Sequence, residues 1–106
     1  MDAAAAASGS APAYLYAFVD ALAEAGRANG LPAEAARVLA RATVTSAAAL
    51  LEASDAEPAE LRRQVASPGG STEAALGVLM GEGGIQPLLR DAVAAAVRRA
   101  QELARA

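Results

Sequence analysis

Cysteine, histidine, lysine and tryptophan are all absent from the 106 residues. Without cysteine there is no disulfide framework, no thiol chemistry and no cysteine metal site. Without histidine, zinc sites and imidazole general-base catalysis lose their usual residue. All nine basic residues are arginine, which excludes Schiff-base catalysis and the lysine of a phosphate-binding P-loop. The aromatics are Tyr14, Tyr16 and Phe18, and twelve acids against nine bases give a net charge of −3. So little positive charge and stacking surface argues against a nucleic-acid partner. No apolar run approaches the roughly 20 residues of a membrane span. The Ala3–Ala7 run follows Asp2, whose sign is wrong for the start of a secretory leader. The expectation is a soluble cytoplasmic protein that binds no metal and meets neither membrane nor nucleic acid.

Alanine dominates what is present. It supplies 33 residues of a 55% apolar chain, leaving only 25 larger apolar side chains, chiefly leucine and valine. One domain fits this length. Twenty-five large side chains give it a thin core, so a second copy of the chain is an attractive source of further burial. Alanine is also the best helix former, and its small side chain lets helix axes approach closely.

Glycine and proline divide the chain into five helical segments. Ser8-Gly9-Ser10 reads as a loop ending in an N-cap, with Pro12 in the first turn of a helix. From Tyr14 that helix carries Tyr14, Leu15, Phe18, Val19 and Leu22 at helical spacing, and Asn29-Gly30 closes it. A second helix opens with Pro32 at its first position. Its apolar side reads Ala35, Val38, Leu39, Ala42, Ala49 and Leu50, and its weak spot is the β-branched Thr43-Val44-Thr45. After the turn at residues 54–58 comes a short helix, Ala59–Val65, ended by Ser67-Pro68-Gly69-Gly70. A fourth helix starts at Ser71-Thr72-Glu73, carries Leu76, Leu79 and Met80, and stops at Gly81-Glu82-Gly83-Gly84. The last runs from about Gln86 to near Ala104, with Leu89, Val93, Ala96, Ala100 and Leu103 as its stripe. The fold expected is an all-α, five-helix domain.

Ser67-Pro68-Gly69-Gly70-Ser71-Thr72 carries the chemistry. Two glycines uncover amides immediately before a helix, whose N-terminal N–H groups and positive dipole end suit a carboxylate or phosphate. Ser67, Ser71 and Thr72 add three hydroxyls. The competing reading is a plain helix–loop–helix connection, with Ser71 or Thr72 capping its own helix and Glu73 helping at the dipole. Elsewhere, Asp20 and Glu24 read as a solvated helix surface beside Arg27, and Arg62-Arg63 as an exposed helix face. Tyr14 and Tyr16 read as packing residues with wet tips.

Five motifs in one order resemble the C-terminal domain of pyrroline-5-carboxylate reductase. They are Ser8-Gly9-Ser10-Ala11-Pro12-Ala13-Tyr14, Asp20-Ala21-Leu22-Ala23 with Gly30-Leu31-Pro32, Gln64-Val65, Ser67-Pro68-Gly69-Gly70-Ser71-Thr72, and Glu82-Gly83-Gly84. The resemblance implies a domain that interlocks with its twin as an intertwined helical homodimer, often assembled further into rings. It implies reduction of the cyclic imine of pyrroline-5-carboxylate to proline with a hydride from NAD(P)H. On this chain, the substrate-binding residues it implies are Ser67, Gly69, Gly70, Ser71 and Thr72, with Ser67 and the amides of Ser71 and Thr72 holding the carboxylate. It puts Thr72 in the catalytic role, its hydroxyl facing the ring nitrogen, and Gln64 against the nicotinamide nucleotide.

The sequence also departs from that family. No G-x-G-x-x-G follows a strand, so a Rossmann nucleotide domain is absent and this chain alone is expected to bind no cofactor. Ala11 replaces a glycine, the family's threonine before S-G-S is replaced within Ala3–Ala7, and Arg62-Arg63 stands where Lys-Asp is usual. Residues 1–106 are therefore expected to be a dimerisation and substrate-carboxylate domain, inactive by itself. The alternative is a structural or designed helical oligomerisation module with no ligand site. A complete small enzyme would need a lone carboxylate catalyst with no visible partner.

Overall fold

The computed structural model describes residues 3–105, apart from the side chains of residues 3 and 6–8; Asp2 lies outside the described residues. Five helices occur in the order α1 (Ala3–Ala28), α2 (Ala33–Ala53), α3 (Pro58–Val65), α4 (Ser71–Leu79) and α5 (Ile85–Arg105). No strand occurs among the described residues, so the domain is all-α as expected. Nor is any helix among them long and apolar enough to cross a membrane.

The first helix corrects the sequence reading. Helix α1 runs straight through Ser8-Gly9-Ser10 and holds Pro12 inside it, where a loop and a helix start were expected. An internal proline removes one helical hydrogen bond and crowds the carbonyl four residues back. Here alanines lie on both sides of that point, and their propensity carries the helix across it. The end of α1 follows the sequence. Gly30 has φ +114°, the Leu31 N–H donates to the Gly26 carbonyl (3.0 Å) and the Gly30 N–H to that of Arg27 (3.1 Å). That is a Schellman ending, and it folds Leu31 back over Gly26.

Pro32 sits just outside α2, at its N-cap, rather than at the first helical position. The β-branched stretch stays helical, as expected, and its hydroxyls bond back into the helix. Thr43 Oγ1 donates to the Leu39 carbonyl (2.7 Å) and Thr45 Oγ1 to that of Arg41 (3.0 Å). Pro58 opens α3 one residue earlier than expected, at a position where its missing N–H is harmless.

The chain divides into two compact units, residues 11–56 and residues 1–10 with 57–106. In the first, α2 turns Ala36 and Ala40 inward, 3% and 2% exposed, and these are the buried core residues of the described chain. The expected apolar side of α2 is thereby corrected: Val38, Leu39 and Leu50 are about half exposed. Small residues one turn apart let the two helices come close, and the larger side chains are left facing outward. On α1, Val19 and Leu22 are half-buried while Leu15 and Phe18 are exposed. The Tyr14 hydroxyl, expected in water, is shielded and has no hydrogen-bond partner among the described residues.

The second unit holds α3, α4 and α5. Val65, Val78, Met80, Leu88 and Leu103 are all exposed on it, while Val93, Ala96 and Ala100 of the expected α5 stripe are half-buried. Between α4 and α5 the Gly81-Glu82-Gly83-Gly84 turn closes through the Gly84 N–H on the Gly81 carbonyl (3.0 Å). Gly83 has φ +73°, and a Cβ on Gly84 would overlap the Leu79 carbonyl oxygen. Glycine is required there because backbone passes over backbone.

Candidate functional site

The loop joining α3 to α4 lies wholly within this second unit. Its shape follows from four residues. Pro68 biases Ser67 away from helix and fixes its own φ. Gly69 follows with φ +73°, and the Gly70 N–H closes the turn on the Ser67 carbonyl at 2.9 Å. Proline then positive-φ glycine at the two central positions is the pattern of a type II turn. A Cβ on Gly70 would lie 3.1 Å from the Ser67 carbonyl oxygen, so both glycines are used for shape.

Gly70 is the N-cap of α4, and no side chain caps that helix. Ser71 and Thr72 therefore do not cap their own helix as the plain-connection reading supposed. Helical bonding begins with the Ala74 N–H on the Gly70 carbonyl (3.1 Å). The N–H groups of Ser71 and Thr72 have no hydrogen-bond partner among the described residues, and neither do the hydroxyls of Ser67, Ser71 and Thr72. Thr72 is half-buried; Ser67 and Ser71 are exposed.

The two glycine amides behave differently. That of Gly70 is spent on the turn, and that of Gly69 donates to Glu73 Oε1 at 3.1 Å. Of the residues singled out from the sequence, Ser71 and Thr72 thus offer open donors, while Gly69 and Gly70 provide the bend that exposes them. Glu73 belongs to the loop's chemistry too, because its carboxylate already answers one of its amides. Gln64 lies in the last turn of α3, exposed, with its side-chain amide unpartnered among the described residues. Arg62 and Arg63 are exposed as expected, Arg63 pairing with Glu60 at 3.0 Å.

The loop presents two open N–H donors at a helix start, flanked by hydroxyls, an arrangement chemically able to hold an anion. It bears no positive side chain of its own, so it suits one carboxylate better than a polyphosphate.

A family model for pyrroline-5-carboxylate reductase dimerisation matches residues 1–103. The pyrroline-5-carboxylate reductase of Pisum sativum is 45% identical over 96 residues, covering 91% of this chain and 35% of that protein. That of Pseudomonas aeruginosa is 43% identical over 104 residues, covering 98% and 38%. Among solved structures, a pyrroline-5-carboxylate reductase from Coxiella burnetii superposes with a TM-score of 0.88 at 42% identity, over 95% of this chain and 37% of that one. A pyrroline carboxylate reductase from Plasmodium falciparum, with NADP bound, gives 0.75 at 34% identity, over 96% and 37%. The chain spans just over a third of the length of these relatives. By family match and by fold, the chain belongs to the pyrroline-5-carboxylate reductase dimerisation domains.

Proposed function

We propose that this chain is the self-associating and substrate-carboxylate-binding part of a cytoplasmic pyrroline-5-carboxylate reductase. It pairs with a second copy as an intertwined homodimer, which can assemble further into rings. It works beside a nucleotide-binding domain that residues 1–106 do not supply, and it is inactive alone. The observation that carries the reading is the distribution of apolar side chains. Among the described residues only Ala36 and Ala40 are buried, whereas fifteen large hydrophobic residues are exposed. With no leucine, valine or aromatic fully buried among the described residues, the exposed ones need another surface to cover them.

At the loop, the amides of Ser71 and Thr72, with the Ser67 hydroxyl, hold the carboxylate of the cyclic imine. Gly69 and Gly70 keep those donors bare. That placement sets the Thr72 hydroxyl against the ring nitrogen, where a proton must arrive when the carbon is reduced. Gln64 meets the nucleotide held by the other domain. The described residues contain no strand and hence no strand–turn–helix phosphate cradle, so they do not fit NAD(P)H by themselves.

Titration of the isotope-labelled chain with proline, followed by amide NMR, tests the loop. The Ser71 and Thr72 resonances should move, and Gly70, already bonded, should move least. A second reading, a purely structural oligomerisation module, is favoured by the internal bonds of Gly69 and Gly70. Amides 69–72 that stay unmoved to high millimolar proline would leave that reading in place.

A further inference from the structure

Asn29 is the chain's one asparagine, and Gly30 follows it directly. A glycine has no side chain to hinder its own amide nitrogen, so that nitrogen can reach the carboxamide carbon of the residue before it. Both residues are exposed, and nothing lies within 4 Å of the position a Cβ would take on Gly30. The pair also ends α1, and that ending holds both reacting groups. Asn29 Nδ2 donates to the Ala25 carbonyl at 2.8 Å, and the Gly30 N–H to that of Arg27 at 3.1 Å. Leu31 completes the ending, its N–H on the Gly26 carbonyl and its Cδ1 3.2 Å from where a Cβ on Gly26 would stand.

We propose that Asn29 is a self-modifying site, deamidated by attack of the Gly30 nitrogen at a rate set by opening of the last turn of α1. The Gly30 nitrogen loses its proton to a base in the solvent and bonds to Asn29 Cγ. The Cγ–Nδ2 bond breaks, and Nδ2 leaves as ammonia, taking a proton back. Water then opens the five-membered succinimide, at Cγ to give aspartate or at the main-chain carbonyl carbon to give isoaspartate. Nothing is oxidised or reduced, and water is the one co-reactant. In the closed ending the Arg27 carbonyl holds the proton that must leave, and Ala25 holds the carboxamide. Both bonds must open first, which couples the chemistry to fraying of the helix end. The product cannot rebuild that end. Isoaspartate lengthens the backbone by one CH2 ahead of Gly30, so the bonds that fold Leu31 onto Gly26 lose their register. Either product puts a carboxylate at the negative end of the α1 dipole, and a carboxylate cannot donate to Ala25.

Ageing of the full 106-residue chain in mildly alkaline buffer tests this, with intact mass read over time and isoaspartate mapped by peptide sequencing. The folded chain should gain the mass of one amide-to-acid exchange, about tenfold or more slowly than the same chain in urea. Leu31→Ala, which removes the side chain packed over Gly26, should speed the gain about threefold or more while circular dichroism stays helical. Asn29→Gln should stop it, because glutamine would have to close a six-membered ring. Asn29→Asp, which carries one of the two products, should unfold at lower urea than the parent. Equal rates in folded and unfolded chain would overturn the gating by α1. A folded chain and a Leu31→Ala variant both unmodified long after the unfolded chain has converted would show a locked site and overturn the proposal. So would an Asn29→Gln chain that gains mass as fast as the parent, and an Asn29→Asp midpoint equal to the parent's would refute the weakening of the helix end.

Discussion

Replacing Gly84 with alanine sets one methyl group against backbone alone. An ideal Cβ there would lie 2.8 Å from the Leu79 carbonyl carbon, 2.9 Å from the Gly81 carbonyl oxygen, and inside contact distance of the Leu79 oxygen. None of these atoms ends a flexible side chain, so relief requires moving the turn that joins α4 to α5. Backbone strain of this kind costs about 1–3 kcal/mol, and displacement of packed neighbours costs a similar amount. Gly84→Ala should therefore lose about 2–4 kcal/mol. The same substitution at Gly77, inside α4 with nothing within 4 Å of its Cβ position, should gain about 0.5–1 kcal/mol. Urea unfolding followed by circular dichroism, at one fixed protomer concentration, reads both. The reasoning is refuted if Gly84→Ala is as stable as the parent, or if Gly77→Ala loses as much.

Three further outcomes follow from the geometry. Ala40→Leu places three extra carbon atoms where alanine is only 2% exposed and should destabilise by about 1–3 kcal/mol in the same unfolding assay. The Arg27 guanidinium hydrogen-bonds the Glu24 carboxylate and holds its pKa below the ordinary carboxylate value, as carboxyl NMR titration should show. A depressed folded-state pKa means that the pair's small stabilisation is complete above the unfolded-state pKa. It fades as pH falls through the folded one, and Glu24→Gln should abolish that pH dependence. Glu73→Gln removes a negative charge beside the open amides while keeping an acceptor for the Gly69 N–H, so proline should bind about two- to fivefold more tightly by NMR titration. Weaker binding would show that the Glu73 carboxylate is needed to hold the loop.

Much of this architecture is written in local signals. Asn29-Gly30, Ser67-Pro68-Gly69-Gly70 and the glycines at 81–84 place the breaks because positive φ and proline act on the chain at the spot where they occur. Pro12 misleads for a related reason: it breaks helix locally, but the alanines on both sides of it favour helix more strongly. The choice of buried face was not legible on α2. In an alanine-rich helix two apolar faces coexist, one toward α1 and one toward whatever covers Val38, Leu39 and Leu50, and periodicity cannot rank them. At the loop, bare Ser71 and Thr72 amides were legible because a glycine N-cap has no side chain to offer. The bond from Gly69 to Glu73 was not, since it depends on where a flexible side chain settles.

If exposed leucines, valines and methionine are covered by a second copy, folding and association are one equilibrium. Thermal unfolding of the chain across about 1 to 100 μM, monitored by circular dichroism, should then give a midpoint that climbs steadily with concentration. A midpoint that stays fixed over that range, from a species sedimenting as a monomer, would contradict the account.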